Sequence, residues 1–530
     1  MQVVKNPIKT YCITLLIFLA ICVAYFFSSL KDTNCHYIYV LDDAYIHLAM
    51  AKNFALYDVW GITKYKFSST SSSPMFTFLI AVLIKIFGNH DWLPLAFNLV
   101  FSGGIVFILN QFYSKIFTSN LKVVAANMFT LLFVTLHLQV FSGMEHVFQV
   151  FVFLLNIFCF YHLKNEKWAK FGFCFSLLLL GLIRFESMFY FVTLAFGFAL
   201  LKNWERSVLV LCCGFLPILA FCIFNHNQTG YWFPNSVVVK GTSIHFNENI
   251  FSDILYIIKD KLIFSKSLYK IGFFPILISV WFLWKDRKNG FSALISKNFL
   301  LIVLSLTFIL HCMFAETRYL FRYEAYFIAG FSMVAFERIS REFSFNDFFK
   351  LKTAALSVLL MANFSLMMYK TFVSHQMLVF GSKNIYEQQI QSAQFLHTYY
   401  NDAKVVANDI GAISYFTEIQ LLDVVGLGSV ETIPFNGSEV AFDERFKNFL
   451  TKYTAQNNFQ LAIVYEHWLN GQIPVSWKKV AELSIDENLN AAGKTVSIYS
   501  IDEKGFLTLQ ENIRNFNWNK NVKVDIKSKP

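Results

Sequence analysis

PMFTFLIAVLIKIF (74–87) is the stretch on which the topology of this 530-residue chain turns. It is apolar enough to enter a bilayer, but it is shorter than the ~20 residues that cross one, and it carries Lys85. Around it lie eleven other apolar runs, at 11–30, 92–112, 123–141, 146–162, 171–183, 187–201, 207–224, 268–284, 298–315, 319–336 and 353–372. The charges between these runs decide how 74–87 is placed. If it does not span, the cytosolic segments are the N-terminus, 113–122, 163–170, 202–206, 285–297 and 337–352. Each of these carries Lys or Arg, as the positive-inside rule requires. If it does span, every segment from 113–122 onward changes side and the rule fails for nearly all of them. The stretch therefore reads as an amphipathic helix lying on the outer interface. Eleven spans follow, with the N-terminus in the cytosol and the C-terminus outside.

Composition agrees. The chain is 56% hydrophobic and 15% charged, with a mean hydropathy of +0.47, where a soluble domain carries about a quarter charged residues. Disordered, collagen-like and disulfide-scaffold classes are excluded. The net charge of +10 serves topology first and is no signal for nucleic acid. Cysteine spacing matches no zinc or haem motif, and no Cys follows Cys312, so the polar tail has no disulfides. The cytosolic loops are short and hold no Gly-rich phosphate loop. Any chemistry belongs to the three large outer segments, 31–91, 225–267 and 373–530.

The expected organisation is a multi-spanning α-helical module over 1–372, a connector over 373–389 and an extracytoplasmic α/β domain over 390–530. In that domain VVAND (405–409), QLLDVV (420–425) and QLAIVY (460–465) read as short buried strands. EQQIQSAQFLHTYY (387–400) and FDERFKNFLTKYT (442–454) read as amphipathic helices.

Ionisable residues cluster at the outer ends of the spans, where charge is costly and tends to be paired or functional. LDDAYIHLAMAKN (41–53) puts Asp42 at a helix N-cap, Asp43 in the first turn and His47 one turn later on the same face. Capping alone would be worth about 1 kcal/mol. Glu145 and His146 start one span, Arg184 and Glu186 stand at a tight hairpin, and Lys240 follows WFPNS (232–236). Arg318 and Arg322 lie one turn apart on a helix, flanked by Glu316 and Glu324. Each has an ordinary reading as a local ion pair or a snorkelling cation. Co-location at one depth is what points to a site. Asn98, Asn127 and Asn156, within spans, read as interhelical glue.

One acidic pair beside several cations suits transfer of a group from a lipid-phosphate donor. The leaving phosphate is a stable anion that needs cations, and the incoming hydroxyl needs one carboxylate base. A glycosidase instead uses two carboxylates straddling the bond. A divalent cation (Mg2+, Mn2+ or Ca2+) could join carboxylate and phosphate oxygens.

The ordered set LDDAYIHLAMAKN, SSTSSSPMFTFLIA (68–81), SGMEH (142–146), LIRFES (182–187), GYWFPNSVVVKG (230–241), ETRYLFRY (316–323) and NDIGAISYF…LLDVVGLG (408–428) resembles the GT-C glycosyltransferases, especially bacterial terminal arabinofuranosyltransferases. The resemblance covers most of the chain to about residue 430. It implies a GT-C fold, interfacial helices in the first outer loop, an acidic catalytic residue there and a polyprenyl-phosphate sugar donor. By matched position, Asp42 would be the base and Asp43 the metal or positioning residue, the two roles being exchangeable. His47, Glu145, Arg184, Glu186, Lys240, Arg318 and Arg322 would line the donor or acceptor site. The sequence departs from the pattern at Phe185-Glu186-Ser187, where the family often has Pro-Glu-Gly, and lacks the usual Gly-Tyr before the Ser run. The expected activity is inverting sugar transfer to a cell-envelope glycan, lipopolysaccharide or a related polysaccharide, at the outer face of a bacterial inner membrane, with membrane lipids around it. The alternatives are a flippase of lipid-linked saccharides and a transferase of phosphoethanolamine or an acyl chain.

Overall fold

The computed structural model describes residues 6–164, 166–240, 250–263, 272–315, 320–436, 442–502 and 504–528. Within these, each of the eleven apolar runs carries helix. Pro7–Ser29, Leu93–Ile116, Trp204–Thr229 and Leu351–Tyr399 are each long and apolar enough to cross a bilayer, making this a membrane protein. Phe291–Lys297 and Phe299–Phe314, bent by 77°, would count as a fifth span if taken as one. Length and apolarity alone therefore do not give eleven spans. Some runs are shorter as helices because the backbone breaks them: Thr135, with φ 55°, separates Asn120–Phe133 from Leu136–Phe141.

Residues 74–87 form one helix, Pro74–Phe87. The Phe76 N–H donates to Ser73 Oγ at its start, and Gly88, with φ 90°, lets the chain turn away at its end. Phe76, Thr77, Ile80, Ala81 and Ile84 are buried, while Phe78, Val82, Ile86 and Phe87 are exposed. The buried face packs on helix Asp43–Tyr57. The one-sided pattern is that of an amphipathic helix. The glue asparagines act as expected: Asn98 donates to Met144 O at 3.1 Å, Asn127 to Thr14 Oγ1 at 3.2 Å and Asn156 to Ser176 Oγ at 2.8 Å.

Residues 373–389, expected as a connector, are helical. Helix Ala354–Ile385 continues through a wide turn at Tyr386–Ile390 into Gln391–Tyr399. Beyond it lies a six-stranded sheet ordered β2-β1-β3-β5-β4-β6, with β1 Lys404–Ala407, β2 Gln420–Asp423, β3 Leu461–Val464, β4 Lys478–Ser484, β5 Thr495–Ser500 and β6 Lys523–Ile526. β1 pairs in parallel with β2 and β3, and the remaining pairings are antiparallel. The three expected strands are the parallel ones, buried on both faces and so continuously apolar. β4 and β6 mix Lys and an acidic residue, Glu482 or Asp525, with apolar residues and do not stand out as apolar runs. One sheet face shares a continuous core with the helical bundle, and the other, with Val406, Leu422 and Val464, is covered by Phe446 and Leu450 of helix Glu444–Gln456. The bundle and sheet are thereby packed together at the level of the candidate site.

Candidate active site

Helix Asp43–Tyr57 starts the site, and its first turn does not close as the sequence suggests. Asp42 occupies the cap position, but its side chain makes no capping bond to that helix. It turns to the C-terminal unit, accepting hydrogen bonds from Gly411 N at 2.6 Å and Ala412 N at 2.8 Å. Asp42 is 7% exposed, with Asp409 beside it. Burial, and then the neighbouring Asp409 carboxyl, hold Asp42 well above the usual carboxylate range. Burial raises Asp409 as well, although Gln389 Nε2 donates to it at 2.6 Å.

Asp43 faces the other way, into a cavity of about 870 Å³. Arg322 Nη2 lies 2.8 Å from its Oδ2. Burial pushes the Asp43 carboxyl up, but Arg322 and Lys240 more than offset this and bring it to about 2. His47, Glu186, Arg184 and Lys240 line the same cavity, together with Ser72, Ser236 and Tyr323. Of the two aspartates expected to be catalytic, Asp43 lines this cavity and Asp42 lines the small pocket beside Asp409.

Glu145 is the hub behind that wall. It is fully buried at the start of helix His146–His162. Arg184 Nη1 donates to it at 2.5 Å, Ser72 Oγ donates at 3.1 Å, and His47 Nε2 lies 3.2 Å away. Burial raises the Glu145 carboxyl, and the neighbouring His47 and Arg184 charges reverse this, leaving it well below the usual range. Arg184 follows helix Lys167–Ile183 and completes its fork on Glu186, with Nε–Oε2 at 3.1 Å and Nη2–Oε1 at 2.5 Å. One guanidinium thus ties the start of helix His146–His162 to the hairpin that carries Arg184 and Glu186.

Arg322 is not on a helix. Leu320 and Phe321 take left-handed backbone angles, with φ of 59° and 54°, so helix Ala325–Glu342 begins later than the apolar run 319–336 suggests. Arg318 and Glu316 lie outside the described residues. Glu324 does not join the cavity; it pairs with buried Lys370 at 3.3 Å. Tyr323 went unnoticed in the sequence. Its ring stands 4.9 Å from both the Arg184 and the Arg322 guanidinium carbons, so it spaces two cations that would otherwise repel. An aromatic beside an arginine in ETRYLFRY was the available signal.

A resident metal fits poorly. Among the described residues no three His, Cys, Asp or Glu side chains are grouped to hold one. Asp43 is matched by Arg322 and Lys240, and Glu145 and Glu186 are matched by Arg184. Among the described residues the expected divalent cation, with Asp43 as ligand, therefore has no grouped donor set, and no step below is routed through one.

A family model described as a domain of unknown function, DUF8728, matches residues 383–499. No curated protein matches the chain. Among solved structures, the chain is similar to ArnT from Cupriavidus metallidurans bound to undecaprenyl phosphate, with TM-score 0.48 and 10% identity over 92% of this chain and 98% of that one. The apo state of the same protein gives TM-score 0.47 and 12% identity over the same shares. An oligosaccharyltransferase from Archaeoglobus fulgidus in the apo form gives TM-score 0.46 and 10% identity, over 90% of this chain and 74% of that one.

Proposed function

We propose that this chain is a GT-C-type inverting glycosyltransferase that takes a sugar from a polyprenyl-phosphate donor. Its acceptor would be a hydroxyl of a cell-envelope glycan, on the outer face of a bacterial inner membrane. The observation that carries the reading is Asp43, paired with Arg322 and near Lys240, in a cavity that gathers Arg184, Glu186 and His47 beside a stretch of apolar wall. Phe185, Met188, Phe189 and Phe314 supply that wall beside Arg184. An isoprenoid chain suits such a wall, and its phosphate suits the cations.

In the free site the two cations keep Asp43 a weak base. A phosphate draws on the same cations and so releases the carboxylate toward a higher proton affinity. The acceptor O–H then gives its proton to Asp43. The freed oxygen lone pair forms a bond to the anomeric carbon from the face opposite the phosphate. The bond from that carbon to the phosphate oxygen breaks, and polyprenyl phosphate leaves as an anion between Arg322, Lys240 and Arg184. Glu145 and Glu186 take no proton; they hold Arg184 in place.

The test uses purified protein, a radiolabelled polyprenyl-phosphate sugar and membranes carrying the acceptor. Asp43→Asn should lower transfer by about 10²–10⁴ while undecaprenyl phosphate still binds. Full transfer by Asp43→Asn would remove the base and the proposal with it.

A further inference from the structure

Arg184 and Arg322 are held in different ways. Arg184 is fixed by its head, since Nε, Nη1 and Nη2 all donate to Glu145 or Glu186. Arg322 is also buried, at 4% exposure, but only its Nη2 is engaged, by Asp43 at 2.8 Å and by Tyr323 Oη at 3.1 Å. Among the described residues its Nε and Nη1 have no partner. A guanidinium with one engaged nitrogen is not aimed by its own bonds. Its place is set by the backbone that carries it.

That backbone is the turn Leu320–Glu324, and its shape is unfavourable by itself. Leu320 and Phe321 both lie in the left-handed region, which side chains disfavour and which persists only where the surroundings impose it. Here the surroundings are two segments distant in sequence. At one end of the turn, Gln139 Nε2 donates to Leu320 O at 2.9 Å. Gln139 is wholly buried on helix Leu136–Phe141. At the other end, Lys370 Nζ lies 3.3 Å from Glu324 Oε1. The same ammonium stands 4.9 Å from the centre of the Phe321 ring. Arg322 and Tyr323 fall between these holds.

Lys370 sits on helix Ala354–Ile385, within a stretch long and apolar enough to span, and has no exposed surface. A lysine there is costly, and pairing it with a buried carboxylate adds little to stability over a well-packed apolar pair. Fixing one geometry is the use left to such a pair, and the geometry it touches is the turn that carries Arg322.

We propose that Gln139 and Lys370 are positioning residues for the transfer: they clamp the Leu320–Glu324 turn at its two ends and so set Arg322 against Asp43. The role rests on the transferase reading above, in which Arg322 serves Asp43 and the leaving phosphate. The clamp itself does not depend on that reading.

Hydrogen exchange and transfer, both on the full chain in nanodiscs, test the two parts. Exchange at Ala325 and Ile328 reads the turn, because their N–H groups donate to Arg322 O at 3.4 Å and Glu324 O at 3.0 Å. Gln139→Leu should speed it by about tenfold or more, since Leu320 O loses its buried donor. Lys370→Met alone strands a buried carboxylate, so it is combined with Glu324→Gln; removing both charges should leave the protein folded and the turn released to a similar extent. Lys370→Arg keeps a cation beside Glu324 and Phe321 and should hold exchange near native. In the second arm, Gln139→Leu and the Lys370→Met/Glu324→Gln pair should each lower kcat/KM for a radiolabelled undecaprenyl-phosphate sugar by about tenfold or more, the scale of a small misplacement at a reacting centre. Lys370→Arg should retain most of the transfer. Placed in an Arg322→Met background, the same changes should lower kcat/KM by no more than about twofold further, because they act through Arg322. Native exchange in both Gln139→Leu and the Lys370→Met/Glu324→Gln pair would overturn the clamp. So would an equal rise across the distant helix Phe506–Asn515, which would report general loosening. Native transfer in both, or an undiminished loss in the Arg322→Met background, would overturn the positioning roles. If the native protein transfers no sugar, the transferase reading fails, while exchange still decides whether the turn is clamped.

Discussion

Glu145→Gln isolates the hub of the site. The substitution keeps shape and removes one buried charge. In the native protein that charge meets Arg184 at 2.5 Å, Ser72 at 3.1 Å and His47 at 3.2 Å, with Glu145 wholly out of water. Removing one partner of a buried ion pair costs about 3–5 kcal/mol, because the remaining charge stays desolvated. Arg184 keeps its two bonds to Glu186, so the lower end applies, about 3 kcal/mol, or roughly a hundredfold in the folded-to-unfolded ratio. Glu186→Gln is the control. Its carboxylate is 22% exposed and serves Arg184 alone, so its loss should cost about 1–2 kcal/mol. The double variant strands a buried guanidinium and should lose more than the sum of the two. Reversible unfolding in mixed micelles of rising SDS fraction reads all three. If Glu145→Gln costs no more than Glu186→Gln, Glu145 is not the residue that holds these segments together.

Arg322→Met should give the pH profile of kcat/KM an acidic limb that the native protein lacks. With Arg322 and Lys240 present Asp43 is at about 2 and stays ionised above that, so activity should be flat from pH 5 to 7 on its account. Without Arg322, burial raises Asp43 and activity should fall as pH drops through the new value. Asp423, pushed up to about 6 by burial, makes the opposite kind of contribution. A raised carboxyl binds its proton more tightly in the folded state, so the loop after β2 should gain stability as pH falls from 7.5 through 6. Hydrogen exchange at 424–428 measures this, and Asp423→Asn should abolish the pH dependence. Reporter fusions after residues 66 and 380 should read outside and one after 167 inside; an inside reading at 66 and 380 would place the cavity on the wrong face.

The amino-acid sequence by itself determined which segments are helices in lipid, because continuous apolarity over ~20 residues has few other uses. It also decided that 74–87 forms a helix with one buried face, and it showed the three parallel strands, whose largely buried faces make them short apolar runs. Asp43, His47, Arg184 and Lys240, which line one cavity, stand out in the sequence as ionisable residues gathered at the ends of apolar runs. Only the tertiary structure separated Asp42 from Asp43. Neighbouring residues at a helix start point in different directions, and which one meets solvent depends on what packs against each. Here Gly411 and Ala412 capture the first, and Arg322 the second. Tyr323 between two guanidinium groups, Lys52 on the Tyr415 carbonyl and Asn235 on the Leu427 carbonyl are contacts across 139 to 363 positions, counted from the residues paired. Periodicity carries no information at that range, because such contacts are set by how helices and sheet pack and not by any local preference of the chain.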